Sequence, residues 1–176
     1  MLTAKTQQAL NDQLNAEFFS AYSYLAQSAF FEHMNLRGFS HWMRIQYQEE
    51  LVHATKVFDF INERDGRVLL QPVAVPTTEW DSPLDAFEAA LAGERKLSNR
   101  IYQLVELAMA ERDYATHNFM QWFISEQVEE EALFHDVSRD LKLVGDDNNG
   151  LFLMDRDLAK RQLGADQEAA DPAGAI

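Results

Sequence analysis

Apolar side chains recur every three or four positions along four long stretches of this chain, the period of an amphipathic helix. The first runs from about Thr3 to His33, with Leu10, Leu14, Ala21 and Ser28 on a stripe that Glu17 and Tyr24 complete. Asn35 and Gly38 mark a turn. The second runs from about Phe39 to Arg64 on Met43, Gln46, Val57 and Phe60, and Asp65-Gly66 is its stop signal. Asp81-Ser82-Pro83 opens the third with capping side chains and a proline in the first turn. Its stripe of Phe87, Leu91, Ile101, Val105 and Ala108 runs to about Arg112. The fourth, about Tyr114 to Val144, carries Phe119, Phe123, Leu133, Val137 and Leu141 and ends at Gly145. A short amphipathic fifth helix is expected over about Leu151 to Leu163.

Residues 67–82, with Pro72 and Pro76, break the pattern. About 16 extended residues reach roughly 50–55 Å, and a helix of about 28 residues is roughly 42 Å long. The segment can therefore run the length of a bundle and start the third helix parallel to the second. The predicted fold is all-α: a four-helix bundle with a long crossover between helices 2 and 3 and a short fifth helix. One domain covers 1–163, and the Ala/Asp/Gly-rich tail, 164–176, is expected to be disordered.

Composition narrows the chemistry. The chain has 176 residues, 47% of them hydrophobic, which suits a single domain with a real core. It has 0 cysteines, which removes disulfide scaffolds, zinc–thiolate sites, iron–sulfur clusters and cysteine nucleophiles. Lys and Arg number 15 against 29 Asp and Glu, a net charge of −14. So acidic a chain repels nucleic acid and anionic membranes and favours cations as partners. No targeting segment or membrane span is visible, and the cytoplasm is the default location.

What interrupts the apolar stripes is more specific. Glu17 lies between Leu14 and Ala21, Glu50 and His53 between Gln46 and Val57, Glu94 between Leu91 and Ser98, and Glu126 and Glu130 between Phe123 and Leu133. Each helix thus puts a carboxylate in its own core stripe near its middle. Several buried carboxylates repel one another and are costly to desolvate. No stripe carries a Lys or Arg at that depth, so a bound cation is the simplest compensation. Carboxylates with one imidazole suit iron, manganese or zinc, and Glu50-x-x-His53 sets two ligands one turn apart on one helix face.

The two helix pairs repeat. Glu17 and Glu94 are 77 positions apart, as are Glu49 and Glu126, Glu50 and Gln127, and His53 and Glu130. A pseudo-two-fold site with unequal halves follows. One metal is expected on Glu17, Glu50 and His53. The other is expected on Glu94, Glu130 and the shared Glu50, held more loosely for want of a histidine. Glu49, Glu126 and Glu129, with Glu130, are candidates for a third cation site nearer the surface. Gln127 is either a weak ligand or a hydrogen-bond partner of the ligands, the latter favoured. Tyr24, on the stripe of the first helix, can serve as a core tyrosine bonded to Glu94 or Glu17, and Trp122 reads as packing.

At these residues the chain resembles the ferritins, specifically the bacterial non-haem ferritins, over about Met1 to Leu163. The resemblance rests on Glu17, Tyr24, Glu49-Glu50-x-x-His53, Glu94, Trp122 and Ser125-Glu126-Gln127-x-Glu129-Glu130-Glu131. It implies a ferritin-like bundle assembled as a hollow shell of twenty-four chains. It also implies ferroxidase activity, with dioxygen oxidising two Fe²⁺ per chain at the paired site, and storage of ferric mineral inside. Catalytic roles would fall to Glu17, Glu50, His53, Glu94, Glu130 and Tyr24, the last lying close to the iron pair and assisting electron transfer. Bacterioferritins carry a haem-ligating Met where this chain has Leu51 and a His where it has Glu130, so no haem is expected. Two other function classes compete: a purely structural helical module, and another soluble di-iron or di-manganese carboxylate oxidase. Against the latter stand the single Glu-x-x-His and the extra acidic trio.

Overall fold

A computed structural model describes residues 2–164. It contains α1 (Ala4–His33), α2 (Arg37–Glu63), α3 (Pro83–Ala110), α4 (Tyr114–Val144) and α5 (Asn148–Leu158), with no strand among the described residues. The tail assigned to 164–176 lies, from 165 onward, outside the described residues.

Side-chain caps define the helix starts. Thr3, Ser82, Asp113 and Asp147 each accept from a backbone N–H of the first turn of α1, α3, α4 and α5. The turns after α1, α2 and α3 are closed by Asn35, Asp65 and Arg112, all in the left-handed region. Two boundaries differ from expectation. Gly38 lies inside the first turn of α2, because the Asp155 carboxylate accepts from the N–H groups of Gly38 (2.7 Å) and Phe39 (3.1 Å) and caps the helix from a distance. A Cβ at Gly38 would run into the backbone carbonyl of Asp155, so glycine lets α5 approach that closely. The fifth helix starts at Asn148 rather than Leu151, because Asp147 accepts from both Asn149 and Gly150, and it ends at Leu158.

Residues 64–82 cross the length of the bundle, so α3 runs parallel to α2. Asn11 fastens the lower end of this strap, donating to the Arg67 carbonyl (3.1 Å) and accepting from the Leu69 N–H (2.6 Å). At the upper end Trp80 packs edge-on against Phe30, with ring centroids 5.2 Å apart.

The core comes in two apolar blocks. At one end Leu10, Leu14, Val57, Ile61, Ile101, Met120 and Phe123 pack together. At the other Phe31, Phe39, Trp42, Phe87 and Phe134 form an aromatic block. Fully burying each such side chain contributes roughly 1.5–3 kcal/mol over leaving it exposed. On α4 the buried line is Met120, Phe123, Gln127, Glu130, Phe134 and Leu141, whereas Phe119, Leu133 and Val137 of the expected stripe are only partly buried and flank the blocks. Between the two blocks α1, α2, α3 and α4 each contribute buried polar side chains.

Candidate metal centre

In that layer Glu17, Glu50 and Glu94 are fully buried at 0% exposure and His53 at 1%. Glu17, Glu50 and His53 each offer a ligand atom within 4.8 Å of the other two. This is the only such group of three His, Asp or Glu among the described residues. Both oxygens of Glu50, Oε2 of Glu17 and Nε2 of His53 are buried with no hydrogen-bond partner. Glu17 and Glu50 stand close enough to share a proton, so in the metal-free chain one carboxyl holds a proton between them and no other side chain satisfies Glu50. Gln13 steadies the arrangement by donating to Glu17 Oε1 at 2.7 Å. Trp122 and Phe123 wall the imidazole edge-on, at 5.3 and 6.0 Å between centroids.

The other half is arranged differently. Tyr24 donates its hydroxyl proton to Glu94 Oε1. Gln127 donates to Glu94 Oε2 at 2.9 Å and to Ser98 Oγ at 3.2 Å. Gln46 donates to Glu130 Oε2 at 2.6 Å. The two 77-residue counterparts are therefore brought to one layer, but the carboxylates of the second half are held by hydrogen-bond donors rather than converged on one point. Gln127 presents its amide N–H groups to this half, the posture of a partner that orients Glu94.

Among the described residues the third set, Glu49, Glu126 and Glu129, does not bring three ligand atoms within 4.8 Å of one another. Glu49 and Glu126 are buried, while Glu129 is half-buried and joined to the others by no hydrogen bond or ion pair. Glu49 is paired with Arg161, whose Nη2 lies 2.8 Å from Glu49 Oε2. No helix stripe carries a cation at this depth, but the segment after α5 supplies one from outside the stripes.

Electrostatics follow from the burial. Desolvation, then the neighbouring Glu50, holds Glu17 well above the usual carboxylate range. Desolvation and the charge of Glu94 do the same to Glu50. Glu130 is pushed up to about 8 by burial and by Glu94, against the opposing pull of Arg161 and His53. Glu94 is raised less, because Tyr24 and Gln127 stabilise its charged form. Burial and Glu94 also raise the Tyr24 phenol. Without a cation these acids retain protons; a divalent ion supplies the missing charge and displaces them. Two residues here escape the sequence analysis as site members. Gln13 sits four positions before Glu17, at the spacing that lets its amide reach that carboxylate along one helix face, whereas Gln46 reaches across to Glu130 on α4, a pairing no local spacing announces.

Residues 7–144 match the ferritin-like domain family. The chain is similar to the bacterial non-heme ferritins of Staphylococcus saprophyticus and Staphylococcus epidermidis. These are 41% and 40% identical over 161 residues, covering 92% of this chain and 96% and 97% of theirs. It is also similar to a solved open pore ferritin from the hyperthermophilic archaeon Archaeoglobus fulgidus, at 51% identity and a TM-score of 0.91 over 92% of this chain and 100% of that one. A closed form of the Archaeoglobus fulgidus ferritin, engineered by mutagenesis, is 50% identical with a TM-score of 0.92, over 93% of this chain and 99% of that one.

Proposed function

The chain belongs to the ferritin family, and from that premise we propose that it is a ferroxidase as well as an iron store, oxidising Fe²⁺ with dioxygen inside its own bundle. The observation that carries this is the set of unpaired buried atoms on Glu17, Glu50 and His53, which converge within 4.8 Å. So many buried ligand atoms without partners are costly unless a cation joins them. The donor set of carboxylates and one imidazole suits Fe²⁺ as substrate.

Glu17, Glu50 and His53 hold one Fe²⁺, and Glu94 and Glu130 hold a second beside it. Glu50, the carboxylate with both oxygens free of hydrogen bonds, is the ligand shared between the two. Two Fe²⁺ side by side supply two electrons to one dioxygen, which avoids a costly one-electron step. Carboxylates favour the harder Fe³⁺ over Fe²⁺ and so drive the oxidation. The weaker second half lets product leave for storage. The apolar blocks at both ends keep bulk water from the layer, which strengthens every charge interaction within it.

Storage requires assembly, and the proposed assembly is a shell of twenty-four chains. Support comes from apolar side chains left exposed on the isolated chain, including Leu70, Val75, Tyr114, Leu143 and Phe152.

The test is anaerobic loading of about two Fe²⁺ per chain into the assembled protein and its Glu50→Ala variant, followed by oxygen and near-UV stopped flow. A fast phase saturating near that ratio in the parent, and lost in the variant, is expected. Identical slow traces would overturn the assignment.

A further inference from the structure

A file of hydrogen bonds leads from the second half of the centre to the surface. Glu94 and Ser98 lie four positions apart on α3, and Gln127 and Glu131 four apart on α4, so each pair shares a helix face. Ser98 is only 2% exposed. Its Oγ stands 2.6 Å from Glu131 Oε1, 3.1 Å from the Glu94 carbonyl and 3.2 Å from Gln127 Nε2. A hydroxyl has one proton to give. Glu131 is the nearest acceptor and the charged one, so it takes that proton. The other oxygen of Glu131 faces Arg95 Nε at 3.7 Å, and the Glu131 side chain is 32% exposed, which ends the file at the surface.

The direction of that one proton decides what Gln127 can do. Its Nε2 donates to Glu94 Oε2 at 2.9 Å, and Ser98 Oγ and the Glu94 carbonyl (3.3 Å) are its further acceptors. A cation on Glu94 takes the first of these away. The other two then hold the amide, and both are open to it only while the Ser98 proton points at Glu131. With Glu131 gone, that proton falls back on the Glu94 carbonyl or turns toward the amide, and either choice takes an acceptor from Gln127. We infer that Glu131, acting through the Ser98 hydroxyl, is a positioning residue for the second half of the centre: it keeps Gln127 a hydrogen-bond donor and turns its amide oxygen away from the second ion. Released, the amide can rotate and offer that oxygen as an added ligand. Glu131 thus keeps the hold on the second ion loose without touching it.

The inference rests on the paired centre proposed above, and the test separates the two. Co²⁺ is titrated anaerobically into the full-length assembled protein and its Glu131→Ala, Ser98→Ala and Gln127→Ala variants, with Glu131→Ala also combined with each of the others. Affinity is read by calorimetry, and coordination by the visible absorption of the bound ion. The first equivalent is expected to bind alike in all. The second is expected to bind roughly three- to tenfold more tightly in Glu131→Ala and in Ser98→Ala, about one hydrogen bond's net worth. Its visible band should weaken as the ion gains an oxygen ligand. The Glu131→Ala/Ser98→Ala double variant should match the single ones, because both cut one file. With Gln127→Ala already in place, Glu131→Ala should change neither affinity nor band. The charge of Glu131 also reaches Glu94 directly, and that influence would persist in every background. An equal effect of Glu131→Ala with and without Ser98 and Gln127 would therefore show direct charge at work and overturn the positioning role. Tighter binding with an unchanged band would overturn it as well, since no ligand was gained. So would a second equivalent that is unchanged or weaker in the single variants, and each of these outcomes leaves the paired centre standing. Failure of every protein to bind two equivalents would remove both proposals together.

Discussion

The α1–α2 hairpin and the α3–α4 hairpin carry the same layout 77 residues apart, yet they treat their carboxylates in opposite ways. The first half leaves ligand atoms of Glu17, Glu50 and His53 converged and unpaired. The second half gives Glu94 and Glu130 to Tyr24, Gln127 and Gln46 as hydrogen-bond acceptors. A set whose converging atoms accept no hydrogen bond from other side chains is poised for a cation, which need only displace the protons they hold. A set already satisfied must give up hydrogen bonds, and its net gain is smaller. A centre made of one grasping half and one yielding half can take iron in and let it go.

The most direct way to break this comparison is to truncate one ligand in each half. His53→Ala should weaken the tighter equivalent of Fe²⁺ by roughly 100-fold or more, and Glu130→Ala should weaken the looser one by roughly tenfold, measured by anaerobic calorimetry. Equal losses would show that the two halves are energetically alike. A second measurement asks what the buried acids cost the metal-free protein. In the folded chain Glu130 holds its proton up to about 8, against an ordinary value of 4.5, and Glu17 and Glu50 are raised as well. Between those pH values the folded state binds more protons than the unfolded state, so stability is present at low pH and lost as pH rises. The melting temperature of the chelated protein should fall by several degrees from pH 5 to pH 8, at about 2–4 °C per kcal/mol for a domain this size. Saturating Zn²⁺ should abolish the fall. A chelated protein that melts at one temperature across that range would mean the acids are not held protonated. The smallest expected effects sharpen the picture of the second half. Tyr24→Phe and Gln46→Leu remove one donor each from Glu94 and Glu130, leaving more basic carboxylates. Each should tighten the looser equivalent by roughly three- to tenfold, about one hydrogen bond's net worth. Weaker binding in either variant would mean the donors position the ligands rather than compete for them.

Much of this was legible in the sequence because helical periodicity acts over long distances. Four stripes of more than twenty residues fix four helices, and a carboxylate in a stripe must be buried whatever its neighbours are. The ends of elements were less legible, because they depend on partners remote in sequence. Gly38 looks like a turn residue until Asp155, 117 positions later, supplies the missing cap. On α4 the alternative stripes through Phe119 and Met120 both satisfy a 3/4 spacing, and only the packing of three other helices selects the one through Gln127. Arg161 was invisible for the same reason: nothing near it in sequence announces that it will meet Glu49, 112 positions earlier. The yielding character of the second half was half-visible. The lack of a second histidine shows in the sequence, but the donors that occupy its acids do so across helices.

The crossing strap has one more consequence. It is fastened near its lower end by Asn11 and near its upper end by Trp80, and among the described residues no hydrogen bond involves Val73, Ala74 or Val75 between them. The middle of the strap therefore adds effective concentration, keeping two half-molecules at hand for each other, while its ends pack through Val68 and Trp80 on the two core blocks. The covalent order of the chain is in this sense incidental to the bundle. A backbone severed at Ala74 would still carry, in two pieces, every helix and every ligand that the centre requires.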